Sequence, residues 1–143
     1  MSITINPNVL NPVDSIDTSH EPDVRVVPWL THVSRIYCGR NIPKQHVHND
    51  QSAIVRDASV AAFVEKVLAV MFPDGFTLLH GEGGWKDQAS GLPVREKSLV
   101  IELMHGPDEG SRDDVLAVAR EWKRWFSQDA VMVSTTEASV AFV

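Results

Sequence analysis

Arg35, Arg95, Glu96 and Glu102 are the charged residues of this chain whose spacing best suits chemistry. Arg35 with either Glu96 or Glu102 makes a natural pair across neighbouring strands, because opposite charges on facing strands attract and a guanidinium fork suits a carboxylate. In a functional reading Arg35 anchors an anion, Tyr37 shares its strand face, and Glu96 accepts a proton. In the plainer reading the pair is a structural ion bridge. Trp85 stands between Gly83-Gly84 and Lys86-Asp87. Glycines there let backbone approach a ligand or let a strand kink, so Trp85 is either a stacking wall or an aromatic closing the end of the sheet. The expected site is therefore Glu96 and His80 for proton transfer, with Arg35, Tyr37, Trp85, Lys86 and Arg95 for ligand binding.

Other reactive side chains have weaker patterns. His46 and His48 at i, i+2 share one side of an extended segment, and His80 or His105 can supply a third imidazole. No recognised carboxylate motif or cysteine spacing accompanies them, so solvated loop histidines and no metal are expected. Cys38 is the single cysteine, which rules out an internal disulfide. A cysteine in mid-strand behaves as a small apolar residue unless its thiol is exposed and acidified. The Gly81-x-Gly83-Gly84 run is not a phosphate loop, since no Lys-Ser/Thr pair and no helix follow it. No cofactor is expected.

These residues need elements to hold them. Residues 33–38 alternate with period two and put Arg35 and Tyr37 on one face of a first strand. Residues 40–55, with Pro43, read as a polar loop. Asp57 stands at an N-cap position ahead of Val60, Phe63, Val64, Val67, Leu68 and Met71, the apolar stripe of a helix over 57–71 that Pro73 ends. An alternating run from Phe76 leads to a glycine-rich connection at Gly81–Trp85, and a second run begins at Arg95-Glu96. A second helix is expected over 111–126, with Val115, Val118, Ala119, Trp122, Trp125 and Phe126 on one side. The Trp122, Trp125 and Phe126 cluster suits a core or subunit contact better than a cofactor box. A last strand covers 130–135.

Strand, helix, strand, strand, helix, strand is the βαββαβ order of a ferredoxin-like α+β sandwich: a four-stranded antiparallel sheet, order 4-1-3-2, with both helices on one face. Residues 1–28 carry Pro7, Pro12, Pro22 and Pro28 and read as an extended N-terminal arm before a single domain over 29–143. The open sheet face is expected to hold Arg35, Tyr37, Thr77, Leu79, Ser98, Val100, Glu102, Met132 and Ser134. Such a mixed surface suits a ligand floor or a homo-oligomer interface.

At 143 residues the chain is one domain with enough bulk for a core without staples. A net charge of −6, with acidic residues spread along the chain, excludes the clustered basic surface that nucleic acid demands. No apolar run reaches the roughly 20 residues of a membrane helix, and residues at the start do not pattern as a secretory leader, so a cytoplasmic location with no membrane partner is expected.

With Arg35-Ile36-Tyr37-Cys38-Gly39, Phe72-Pro73-Asp74-Gly75-Phe76-Thr77, Gly83-Gly84-Trp85 and Arg95-Glu96-Lys97-Ser98 placed in order, the chain resembles the bacterial family catalogued as domain of unknown function 3574, over roughly residues 33–143. Two departures from many relatives are expected: no export signal, and a longer, His-bearing 40–55 loop. The resemblance implies the fold class and no activity. The expected function is binding of a small anionic metabolite or nucleotide. The alternatives are a cofactor-free enzyme performing proton transfer or hydrolysis over the open sheet face, and a structural assembly subunit.

Overall fold

The computed structural model describes residues 23–43 and 53–143. In chain order these form β1 (Arg25–Val26), β2 (His32–Gly39), α1 (Asp57–Phe63), a π-helical stretch (Val64–Leu68), α2 (Ala69–Met71), β3 (Thr77–Lys86), β4 (Pro93–His105), α3 (Glu109–Trp125), β5 (Met132–Glu137) and β6 (Ala141–Phe142). The α1, π and α2 segments run on without interruption as one first helix. The main sheet has the order β3-β4-β2-β5 with every pair antiparallel. Counting only these four strands, that is the 4-1-3-2 order of a ferredoxin-like sandwich.

Alternation decides which side of each strand meets the helices. Ile36 pairs with Ile101, and Cys38 with Leu99, so these four share one face. All four are fully buried against Phe63, Leu68, Val115, Val118 and Trp122 from the two helices. Phe63 packs edge-on to Trp122 with ring centroids 5.1 Å apart. The Trp122, Trp125 and Phe126 cluster is thus core. Both helices cover this face, and the opposite face carries the open set expected from period two.

Several boundaries differ from the sequence reading. The first helix begins at Asp57 itself, with Arg56 in the N-cap position, because Asp57 turns its carboxylate to Arg40 instead of capping the helix. The second helix begins at Glu109, two residues before the expected Ser111: Asp108 caps it, accepting from the Ser111 amide at 2.9 Å. Gly81–Trp85 is no connection but the outer half of β3, its residues paired with Ser98 to Val94. Glycine does not prevent pairing, and the turn falls instead at Asp87–Gly91, where Gly91 adopts φ 70° and its amide donates to the Asp87 carbonyl at 2.8 Å.

At the chain ends, Arg25 pairs with Phe142 and Val26 with Ala141 as a two-stranded ribbon, and Val27 behind it is buried. These residues belong to the stretch read as an arm. The rest of that arm, residues 1–22, and the histidines His46 and His48 lie outside the described residues.

Candidate functional site

β3 and β4 are longer than their neighbours, so their hairpin projects past the first helix. Between the two lies a cleft of about 970 Å³. Val60, Ala61, Val64 and Leu78 form its apolar lining, while Arg40, Asp57, Glu65, His80, Glu82 and Lys97 supply polar groups. Each arrives for a local reason. His80 and Glu82 alternate onto the helix side of β3, Lys97 does the same on β4, and Val60, Ala61 and Val64 follow the helical repeat. Val64 opens the π-helical stretch, a widened turn that occurs frequently at functional sites.

Arg40 fixes one end of the cleft. It is 5% exposed, and its Nε donates to the Val55 carbonyl at 3.0 Å while Nη2 reaches Asp57 Oδ1 at 2.8 Å. The hydrogen bond from Arg40 holds the Asp57 carboxyl below the usual carboxylate range, and the Arg40 charge, then Lys97 and His80, act in the same direction. At the other end, Glu82 Oε1 meets Arg95 Nε at 2.8 Å on an exposed edge, where such a bridge adds little stability. Counting fixed charges, the lining holds the carboxylates Asp57, Glu65 and Glu82 against the cations Arg40 and Lys97. The arrangement can enclose an apolar body and offer polar partners of both signs to its substituents.

The structure divides the residues expected from sequence. His80 lines the cleft, Arg95 reaches its rim through Glu82, and Lys86 extends the same side of β3 farther out. Arg35, Tyr37, Trp85 and Glu96 lie on the opposite, open face. Trp85, 49% exposed, pairs with Val94 near the hairpin tip and closes no cleft mouth. The expected meeting of Arg35 with Glu96 does not occur. Register places Arg35 opposite Glu102, with Nε 2.9 Å from Oε2, and Glu96 is six residues farther along β4, about 20 Å at strand rise. Glu96 instead accepts from the Asn41 amide at 2.9 Å.

Sequence reasoning missed Arg40, Glu65, Glu82 and Lys97, and it read Asp57, Val60 and Val64 only as helix cap and stripe. Among the described residues no group of three His, Cys, Asp or Glu side chains comes together to hold a metal. His80 pairs with Leu99 and His105 ends the same strand, so the two imidazoles stay apart. Among those residues, too, no helix is long and apolar enough to cross a membrane.

Two solved structures of a phage SAM lyase are similar to the chain. The complex with S-methyl-5'-thioadenosine shares 19% identity at a TM-score of 0.54, covering 78% of this chain and 88% of that one. The apo state shares 17% identity at a TM-score of 0.53, covering 78% and 87%. At such identity the likeness speaks for the fold alone. No curated protein matches. The family model described as a protein of unknown function matches residues 34–142, from within β2 to the end of β6, and the chain therefore belongs to that family, DUF3574.

Proposed function

We propose that the protein binds a small organic molecule in the cleft between the first helix and the β3–β4 hairpin. The observation that carries this reading is the cleft itself: an apolar floor of Val60, Ala61, Val64 and Leu78 beneath a rim of mixed charge. Its volume, about 970 Å³, is at the upper end of the roughly 300–1,000 Å³ usual for small-molecule sites. The rim also narrows the anionic metabolite or nucleotide expected from sequence. Asp57 and Glu82 are already paired with Arg40 and Arg95, which leaves Glu65 and Lys97 as the unpaired fixed charges of the rim; no cluster of free cations faces a polyanion, so an uncharged or zwitterionic compound of nucleoside size is the better fit. One of the similar phage lyase structures holds S-methyl-5'-thioadenosine, an uncharged nucleoside thioether, which supports the same class of ligand on this fold.

A ligand that binds only the native state raises its apparent stability. Thermal unfolding with adenosine, S-methyl-5'-thioadenosine, S-adenosylmethionine, ATP and citrate should give upward shifts for the uncharged or zwitterionic nucleosides and little for ATP and citrate. Ala61→Trp, which fills the cleft from an exposed helix position, should abolish those shifts. No shift from any compound at millimolar concentration, or equal shifts in the filled variant, would refute the reading.

The catalytic alternative keeps one observation in its favour: His80, the base candidate from sequence, lines this cleft. Incubation of any compound that shifts the unfolding midpoint, followed by mass spectrometry, tests it. Turnover lost in His80→Asn with the thermal shift retained would make the protein an enzyme; an unchanged compound would leave it a binder.

A further inference from the structure

The order β3-β4-β2-β5 makes β3 an edge of the main sheet, with no strand beyond it among the described residues. It is ten residues long, holds three glycines and no proline, and so has few of the features that keep an edge from pairing with another chain. The hairpin fixes which of its backbone groups point outward. The Asp87 amide donates to the Leu92 carbonyl at 2.8 Å, so residue 87 turns toward β4, and alternation back along β3 turns the odd residues inward and the even ones outward. The far side of β4 agrees: the Lys97 carbonyl accepts from the Arg40 amide at 3.1 Å on the β2 side, so Glu82, which stands opposite Lys97, turns away from β4. Leu78, His80, Glu82 and Gly84 therefore present amides and carbonyls that no strand among the described residues takes up.

The geometry points to a homodimer in which the β3 strands of two copies pair antiparallel about a two-fold axis at Gly81. Such a contact is isologous, and its register is named by the residue on the axis. An axis at His80 sets imidazole against imidazole, and one at Glu82 sets carboxylate against carboxylate. An axis at Gly81 instead sets His80 against Glu82 of the partner subunit, twice, an acceptor facing a donor. It also brings outward groups to outward groups, since Leu78 then faces the partner's Gly84. Each of these facing pairs exchanges two hydrogen bonds, roughly eight in all. On the other side of the strand Gly83 faces the partner's Leu79, and the missing side chain leaves room for the partner's Trp85 to reach across the diagonal to Leu79. Leu79 and Trp85, 47% and 49% exposed, thereby gain an apolar contact. The axis stands normal to the sheet, so the helices of both copies stay on one side and the β1–β6 ribbons on the other, and neither face has to be bare. Because His80 and Glu82 both line the cleft, the partner's Glu82 comes to stand beside His80 at its outer wall, whatever the cleft binds.

Sedimentation velocity of the full chain over a hundredfold concentration range should show a monomer–dimer equilibrium. Gly81→Cys reads the register. A pair without hydrogen bonds between its members holds its Cα atoms about 4.5 Å apart, within disulfide reach, and a Cβ at Gly81 meets only Ser98 Oγ at 3.5 Å. Under mild oxidation Gly81→Cys should become a covalent dimer, whereas Gly83→Cys, whose two copies lie about 13 Å apart along the strands, should not. The native Cys38 is buried and gives no background. His80→Glu should weaken the dimer at least tenfold by setting carboxylate against carboxylate, and Glu82→Lys should do so by removing the acceptor. Mixed together the two variants should form a heterodimer, because the new carboxylate of one faces the new ammonium of the other. A wild type that stays monomeric at high concentration, a trimer or larger assembly, cross-linking of Gly83→Cys as fast as Gly81→Cys, or a mixture that fails to associate would overturn the inference.

Discussion

The carboxylate of Glu96 fills the space that a side chain on Gly39 would need. A Cβ at Gly39 would lie 2.8 Å from Glu96 Oε1, and Glu96 Oε2 accepts from the Asn41 amide at 2.9 Å. The glycine at the end of β2 is thus explained by the acid of β4, which ties down Asn41, the second residue beyond the strand.

Gly39→Ala should force that carboxylate aside and cost about 1 kcal/mol, the net worth of a typical hydrogen bond. In a Glu96→Ala background the same change should be nearly neutral. Urea unfolding of the two single variants and the double variant checks this as a cycle, with an expected coupling of about 1 kcal/mol. Additive effects would show that Gly39 is kept for another reason.

Trp122 joins packing to backbone support. It is fully buried, packs against Phe63 and lies 4.4 Å in centroid distance from Phe126, and its Nε1 donates to the Gly39 carbonyl at 3.3 Å. Trp122→Ala should cost about 3–5 kcal/mol through the cavity left behind. Trp122→Phe keeps part of the packing and loses the donor, so it should cost less. Denaturant midpoints for the two variants give the ranking.

Period two and the helical repeat made most of the fold legible, because they record which side of each element is apolar. The stripe from Val60 to Met71 and the open set around Arg35, Tyr37, Leu79 and Met132 follow from them, and the strand order follows from the succession of strands and helices read as βαββαβ. Register does not, since a shift by whole pleats preserves every face. Arg35 was therefore open to Glu96 or Glu102 until the pairing of Tyr37 with Val100 settled it. The cleft was less legible still. Arg40 lies just past a strand in a stretch without periodicity, and its partners Val55 and Asp57 are 15 and 17 residues away. The π-helical stretch at Val64–Leu68 has no composition that separates it from the α-helix around it.

Cys38 should be chemically silent in the native state. Burial pushes its thiol well above the ordinary range, and its Sγ faces the Ile36 carbonyl inside the core. Only the thiolate reacts with disulfide reagents. Labelling by a thiol reagent at pH 8 should thus follow the opening of the domain and accelerate in step with denaturant. Rapid labelling in buffer alone would mean that the β2 end opens locally.

Arg40 and Asp57 should differ sharply when mutated, although they form one ion pair. The Asp57 side chain is 93% exposed, whereas that of Arg40 is 6% exposed and also serves the buried Val55 carbonyl. Arg40→Met removes those donors and should cost about 1–3 kcal/mol for the unsatisfied carbonyl. Asp57→Asn loses only a solvent-screened attraction and should cost less. The pH dependence has a definite sign. Because Arg40 holds the Asp57 carboxyl below its unfolded value of about 3.9, the contribution is fully present above that pH and is lost as pH falls through the folded value. The stability difference between wild type and Asp57→Asn should therefore be constant from pH 6 to 8 and shrink below about pH 4. Thermal midpoints of wild type and both variants between pH 2.5 and 8 measure it, and a difference that does not narrow in acid would remove Arg40 as the cause of the depressed carboxyl.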